Sequence, residues 1–144
     1  MDFLQVEAIE LNGQAETAVD AIWLAGDLLV QVKKVKPTYV EAMIKNFTDI
    51  GPYIVIGPGI AIPHARPEDG AVIPGLSMFR LSTPVSFGHA SNDPVSLVCA
   101  LAGVDETSHL MMLKQISQVL SNKDKLNIIK TTNDVEEVVR LFRQ

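Results

Sequence analysis

Three side chains of this 144-residue chain can exchange between a neutral, nucleophilic form and a protonated form near neutral pH: His64, His89 and His109. Their surroundings differ. His64 lies in "GPYIVIGPGIAIPHARPEDG", residues 51 to 70, where Pro63 and Pro67 fix φ on either side and Gly57 and Gly59 permit a sharp approach. A ring held so stiffly after an apolar run suits chemistry, but a structural histidine in a rigid loop has the same features, and these features alone leave both roles open. His109 falls in the first turn of an expected helix, where free backbone N–H groups and the positive dipole end favour an anion. A capping or surface residue is the competing reading there. His89, in "SFGHASNDP", reads as a solvent-exposed bystander and is given no role.

Other chemistries lack their residues. There is no HExxH, no paired CxxC and no Asp/Glu/His cluster at metal-ligand spacing, so no metal site is expected. Ser77, Ser82 and Ser86 have no GxSxG elbow around them. "GPGIAIPH" has glycines but neither the Walker lysine nor the dinucleotide spacing, so no nucleotide cofactor is expected. The single cysteine, Cys99, sits in an apolar run and reads as a small core side chain, and Met111 and Met112 read as helix packing.

The elements that must position these histidines follow from periodicity. Ala18, Ala21, Ile22, Ala25, Leu28, Leu29 and Val32 recur at helical spacing and predict a helix over about residues 15 to 33. Pro37 opens a second helix expected to end near Asn46. "YIVI" and "IAIPH" are two short extended pieces broken by "GPG", with His64 at the end of the second. Strands are expected at 75–82 and at 94–102, the latter apolar enough to be central. Asp105 or Thr107 caps a helix running to Leu120, and Asn133 with Glu136 forms a loose capping box for a last helix. The predicted fold class is α/β: one domain over residues 1–144, with a mixed sheet between helices.

Composition agrees. Hydrophobic residues at 47% and charged residues at 20% describe a globular chain rather than a disordered one. A net charge of −5, with "KKVK" as the one basic cluster, gives no footprint for nucleic acid. The N-terminus lacks a basic n-region with an apolar core, and no apolar run approaches the roughly 20 residues that span a bilayer, so a soluble, cytoplasmic, unexported protein is expected. A lone cysteine suits a reducing compartment.

On its motifs the chain resembles EIIA components of the bacterial phosphoenolpyruvate-dependent sugar phosphotransferase system (PTS), in the mannitol/fructose-type superfamily. The pattern around that family's phosphorylated histidine is matched by Asp49, Ile56, Gly57, Ile60, Ala61, Ile62, Pro63, His64 and Ala65. "DETSHLMMLKQISQVL" supplies His109 as the second histidine early in a downstream helix, and "TPVSFG" with "NDPVSLVCALAGVD" is most similar to the ascorbate-type branch. The resemblance extends from the first helix to "VEEVVRLF". It implies the mannitol-type EIIA fold and a phosphotransferase role with no cofactor. His64 would accept a phosphoryl group from the carrier HPr, as a tele-phosphohistidine, and pass it to a cysteine of a cognate EIIB, with the membrane component EIIC acting downstream. His109 and the N-terminus of its helix would stabilise the phosphoryl group.

One position departs from the family. Mannitol- and fructose-type members commonly have an arginine before the acidic position, where this chain has Thr48 before Asp49. Arg66, two residues after His64, is the candidate for the missing cation and so for a phosphate contact; a loop-stabilising surface arginine is the alternative. Cys99 lacks the glycine-rich setting of an EIIB cysteine, so EIIB is expected on another chain. Two other classes compete. An EIIA-like regulatory module would control a partner through its phosphorylation state, although these 144 residues hold no helix-turn-helix. A phosphatase with a transient phosphohistidine would need a general acid, and none is apparent near His64.

Overall fold

The computed structural model describes residues 2–144. The chain opens with β1 (Leu4–Gly13), in which Ile9 and Leu11 point inward while Glu10 and Asn12 face out, the period-two alternation of a half-buried strand. Two helices follow. α1 (Ala18–Gln31) starts three residues later than its apolar periodicity suggests because Thr17 caps it, its hydroxyl accepting from Asp20 N at 3.1 Å. α2 (Pro37–Ile50) begins at the expected proline but runs four residues beyond Asn46, ending only where Gly51 takes φ 109°.

β2 (Val55–Gly57) and β3 (Ile60–Ala61) form the broken extended pair, with Gly59 at φ 74° making the turn between them. A short 3-10 turn over Pro67–Asp69 leads to β4 (Gly75–Val85), longer than expected. The 94–102 stretch appears as β5 (Val95–Val98) and β6 (Leu101–Ala102). Both pair antiparallel with β4 in one register, Phe79 opposite Val98 and Leu76 opposite Leu101, so the interruption at Cys99–Ala100 is local. α3 (Glu106–Leu120), α4 (Lys123–Thr131) and α5 (Val135–Arg143) complete the chain. The cap of α5 is Asp134, whose side chain accepts from Glu136 N, and not the expected Asn133.

The sheet order is β1-β4-β5-β3-β2, with β5 central as its apolar sequence predicts. β1 runs parallel to β4 and β3 parallel to β5, whereas β4–β5 and β2–β3 are antiparallel, so the sheet is mixed. Alternation along β4 sorts the core into two layers. Leu76 and Met78 meet α3, α4 and α5 through Met112, Ile116, Ile129 and Val138. Phe79 and Leu81 meet α1 and α2 through Ile22, Leu29, Val40 and Met43. Arg80, on the first of these faces, donates to the carbonyls of Leu11, Ile129 and Thr132, tying β1 to the C-terminal end of α4. Among the described residues no helix is long and apolar enough to cross a membrane.

Candidate functional site

Parallel pairing of β3 with β5 sends two segments out of the same end of the sheet. Ile60 lies opposite Leu97 and Ala61 opposite Val98, and beyond the strand Leu101 N still donates to Pro63 O at 3.0 Å. His64 therefore leaves β3 beside the segment that leads through Gly103 into α3. Open α/β sheets place ligands at the C-terminal ends of their strands for this reason.

His64 is half-buried, and its Nδ1 lies 2.9 Å from the carbonyl of Ile62. A carbonyl can only accept, so Nδ1 carries a proton, and in the neutral ring Nε2 keeps the free lone pair. His109, on the first turn of α3, approaches it with ring centroids 5.7 Å apart. The His109 imidazole is held below the usual histidine range, first by burial and second by the charge of His64. Both causes favour its neutral form. Gly103 makes this approach possible, because a Cβ there would lie 3.0 Å from the Cβ of His109.

Of the two expected caps of α3, Asp105 is the one used. Asp105 Oδ1 accepts from Ser108 N at 2.8 Å, while Ser108 Oγ accepts from Val104 N and Asp105 N, a reciprocal cap. The same hydrogen bonds with Ser108 hold the Asp105 carboxyl below its ordinary range. The cap thus takes up Ser108 N, and the His109 N–H is committed to Asp105 O. Those two N–H groups are thus spoken for, and the His109 ring stands on the same turn.

Arg66 is exposed and lines a groove with Ala65, Gly103, Glu106, His109 and Leu110. Its backbone N–H donates to Asp69 Oδ2, but among the described residues its guanidinium takes no hydrogen bond or ion pair. Thr48 folds back on Lys45 O, and Asp49 pairs with Lys45 at 2.6 Å in an exposed contact at the end of α2. The structure thus brings His64, His109 and Arg66 to one end of the sheet and gives neither Thr48 nor Asp49 a contact with them. Among the described residues no group of three His, Cys, Asp or Glu gathers as a metal site would require.

Two further assignments change. His89 is half-buried and structural: its Nδ1 accepts from Ser91 N and Asn92 N, closing the 86–93 loop around Asp93. Met112 is fully buried as expected, but Met111 faces outward. Cys99 is in the core, and burial pushes its thiol up to about 12, far from reactive.

Sequence reasoning overlooked two aromatic residues. Tyr53 stands edge-on to His64, centroids 6.0 Å apart, and is 44% exposed; with Leu110, 65% exposed, it makes the surface around the two histidines partly apolar. Tyr39, fully buried on α2, donates its hydroxyl to Leu101 O at 2.7 Å and accepts from Ala65 N at 3.0 Å. Its place on the inward face of α2 beside Val40 and Met43 was the available signal, since a buried tyrosine hydroxyl needs partners.

A mixed sheet flanked by helices in this way is the fold of the mannitol-type EIIA domains. The chain belongs to the family described as the EIIA 2 component of the phosphoenolpyruvate-dependent sugar phosphotransferase system, whose profile matches residues 2–144. It is 35% identical over 137 residues to the ascorbate-specific PTS EIIA component of Escherichia coli K12, covering 92% of this chain and 89% of that one. Among solved structures it is similar to the mannitol-specific cryptic phosphotransferase enzyme IIA of Escherichia coli (TM-score 0.83, 26% identity, 98% of this chain and 95% of that one). It is similar also to the Escherichia coli mannitol enzyme IIA solved with phosphorylated enzyme IIB (TM-score 0.82, 28% identity, 97% and 98% covered). The family resemblance seen in the sequence is borne out.

Proposed function

We propose that this chain is a cytoplasmic phosphocarrier, a single EIIA domain that takes a phosphoryl group from phospho-HPr on Nε2 of His64 and hands it to the cysteine of a separate EIIB. The observation that carries this is the Nδ1–H bond to Ile62 O, which in the neutral ring leaves Nε2 as the unprotonated nitrogen. The Nε2 lone pair attacks phosphorus, and the bond from phosphorus to its HPr carrier breaks. The phosphorylated ring retains the Nδ1 proton and with it a positive charge, which the Ile62 carbonyl stabilises. In the second transfer a cysteine thiolate attacks phosphorus, the P–N bond breaks, and the electron pair returns to Nε2.

Phosphoryl transfer asks a protein mainly for positioning and for stabilisation of charge on the moving group. Pro63 and the Ile62 bond position the ring; His109 donates one ring N–H to a phosphoryl oxygen, and Arg66 brings a cation to this groove. The apolar rim of Tyr53 and Leu110 suits docking that excludes water during transfer. Likeness to ascorbate-specific relatives supports L-ascorbate as the carbohydrate that EIIC imports and the relay phosphorylates. The test is incubation with phosphoenolpyruvate, Enzyme I and HPr. The protein should take up one phosphoryl group and hold it until EIIB is added, and release to water in the absence of EIIB would instead indicate a phosphatase.

A further inference from the structure

We infer that Tyr39 is the positioning residue that fixes the separation of the two histidines, an assignment that rests on the phosphocarrier reading above. One buried hydroxyl touches both segments that leave the sheet. It accepts from Ala65 N, the residue after His64, at 3.0 Å, and it donates to Leu101 O at 2.7 Å, two residues before the Gly103 on which His109 packs. The Ala65 carbonyl, at 3.2 Å, is a weaker second acceptor for the same proton. Both ends of the latch are anchored: Tyr39 is 0% exposed on the first turn of α2, and the loop returns to that turn through Thr38 Oγ1, which donates to Asp69 O.

The hydroxyl stays a donor at every relevant pH, because burial pushes the phenol up to about 12 against the opposing Ala65 hydrogen bond. Its alignment satisfies three demands. A tyrosine hydroxyl has one proton and two lone pairs, so it can bridge an N–H and a carbonyl on different segments, which neither an aliphatic nor a phenylalanine side chain can do. Among the described hydrogen bonds, the hydroxyl is the one partner of Ala65 N. Tyr39 is also sealed from solvent and so cannot touch HPr or EIIB.

Tyr39→Phe keeps the ring and removes the latch. The rate of phosphoryl transfer through His64 should fall about 10- to 100-fold, the cost of a displacement on the order of 1 Å at a reacting centre, with KM for phospho-HPr unchanged. Ile22→Val, a trimming on α1 in the same core layer, should lower thermal stability without slowing transfer. A second arm needs no phosphoryl donor. By NMR the Ala65 amide of the wild type should exchange slowly, and in Tyr39→Phe the His109 titration should move up towards its ordinary midpoint as the His64 charge recedes. Unchanged transfer and unchanged histidine titrations in Tyr39→Phe would overturn the assignment, as would fast exchange at Ala65 in the wild type. Failure of the wild type to accept label would count against the phosphocarrier reading alone, leaving the NMR arm to decide the role of Tyr39.

Discussion

The imidazoles of His64 and His109 meet edge to face, with centroids 5.7 Å apart and planes inclined by 64°. Each ring therefore experiences the charge of the other. A protonated His64 therefore opposes protonation of His109, whereas a phosphoryl dianion on His64 has the opposite sign and favours His109 as a cation.

That reversal is measurable. In the unphosphorylated protein His109 should titrate below the ordinary midpoint of about 6.5, and phosphorylation should move it upward. In His64→Ala the midpoint should rise only part of the way, since burial, the larger cause, remains. Histidine NMR titrations of the three forms check this, and a His109 midpoint insensitive to phosphorylation would remove the proposed contact.

His64→Ala should fold normally, because the side chain is half-exposed and its hydrogen bond to Ile62 O is local. It should accept no label from phospho-HPr. Label appearing in this variant on His89, which the 86–93 loop occupies structurally, would move the acceptor.

His109→Ala should still accept phosphoryl groups but pass them to EIIB about 10- to 100-fold more slowly, less than the loss of a fully enclosed oxyanion donor because the groove is open. His109→Gln, which retains an N–H donor, should recover part of the rate. Single-turnover transfer to EIIB measures both.

Arg66 should matter by charge and by shape. Arg66→Lys keeps the charge and loses the bidentate fork, so its transfer rate should fall between wild type and Arg66→Ala, with Arg66→Ala down roughly tenfold. Equal rates in all three proteins would make it a surface residue.

Asp93 organises the loop that contains His89. Burial raises its carboxyl, but hydrogen bonds from Phe87 N, Ser86 Oγ, Gly88 N and His89 N outweigh this and hold it below the usual range. A depressed folded-state value means that its stabilisation is present above the unfolded value of about 3.9 and is lost as pH falls through the folded one. Asp93→Asn should therefore be less stable than wild type at pH 7, with the gap closing in acid. Thermal unfolding of both proteins between neutral pH and pH 2 reads this out.

Much of the site was legible in the sequence because its signals are local. Pro63, Pro67 and the glycines around "GPG" mark a stiff turn within a few residues of His64, and helical periodicity with Asp105 as a cap puts His109 in a first turn. Other local signals were present but not used. "LQVEAIEL" alternates as a strand, and β1 proved to be a sheet edge; α4 went unassigned although Asn122 caps it. His89 resembled a free loop residue because its hydrogen bonds go to backbone N–H groups, which carry no side-chain pattern.

By itself, the sequence determined which residues could be helical, which loop would be rigid and which histidine would sit in it, since backbone preference and apolar period act over one or two turns. The distance between the rings depended on pairings between remote segments: Ala61 beside Val98, Pro63 O accepting from Leu101 N, and Gly103 admitting His109. Likewise, only the folded chain could show that Tyr39 reaches both Ala65 and Leu101, or that Asp105 takes up an N–H that a helix start would otherwise offer to an anion. Such partners are chosen by burial and register across the whole sheet, where an unpaired polar group costs on the order of 1–3 kcal/mol, and no short-range pattern records which remote atom will satisfy it.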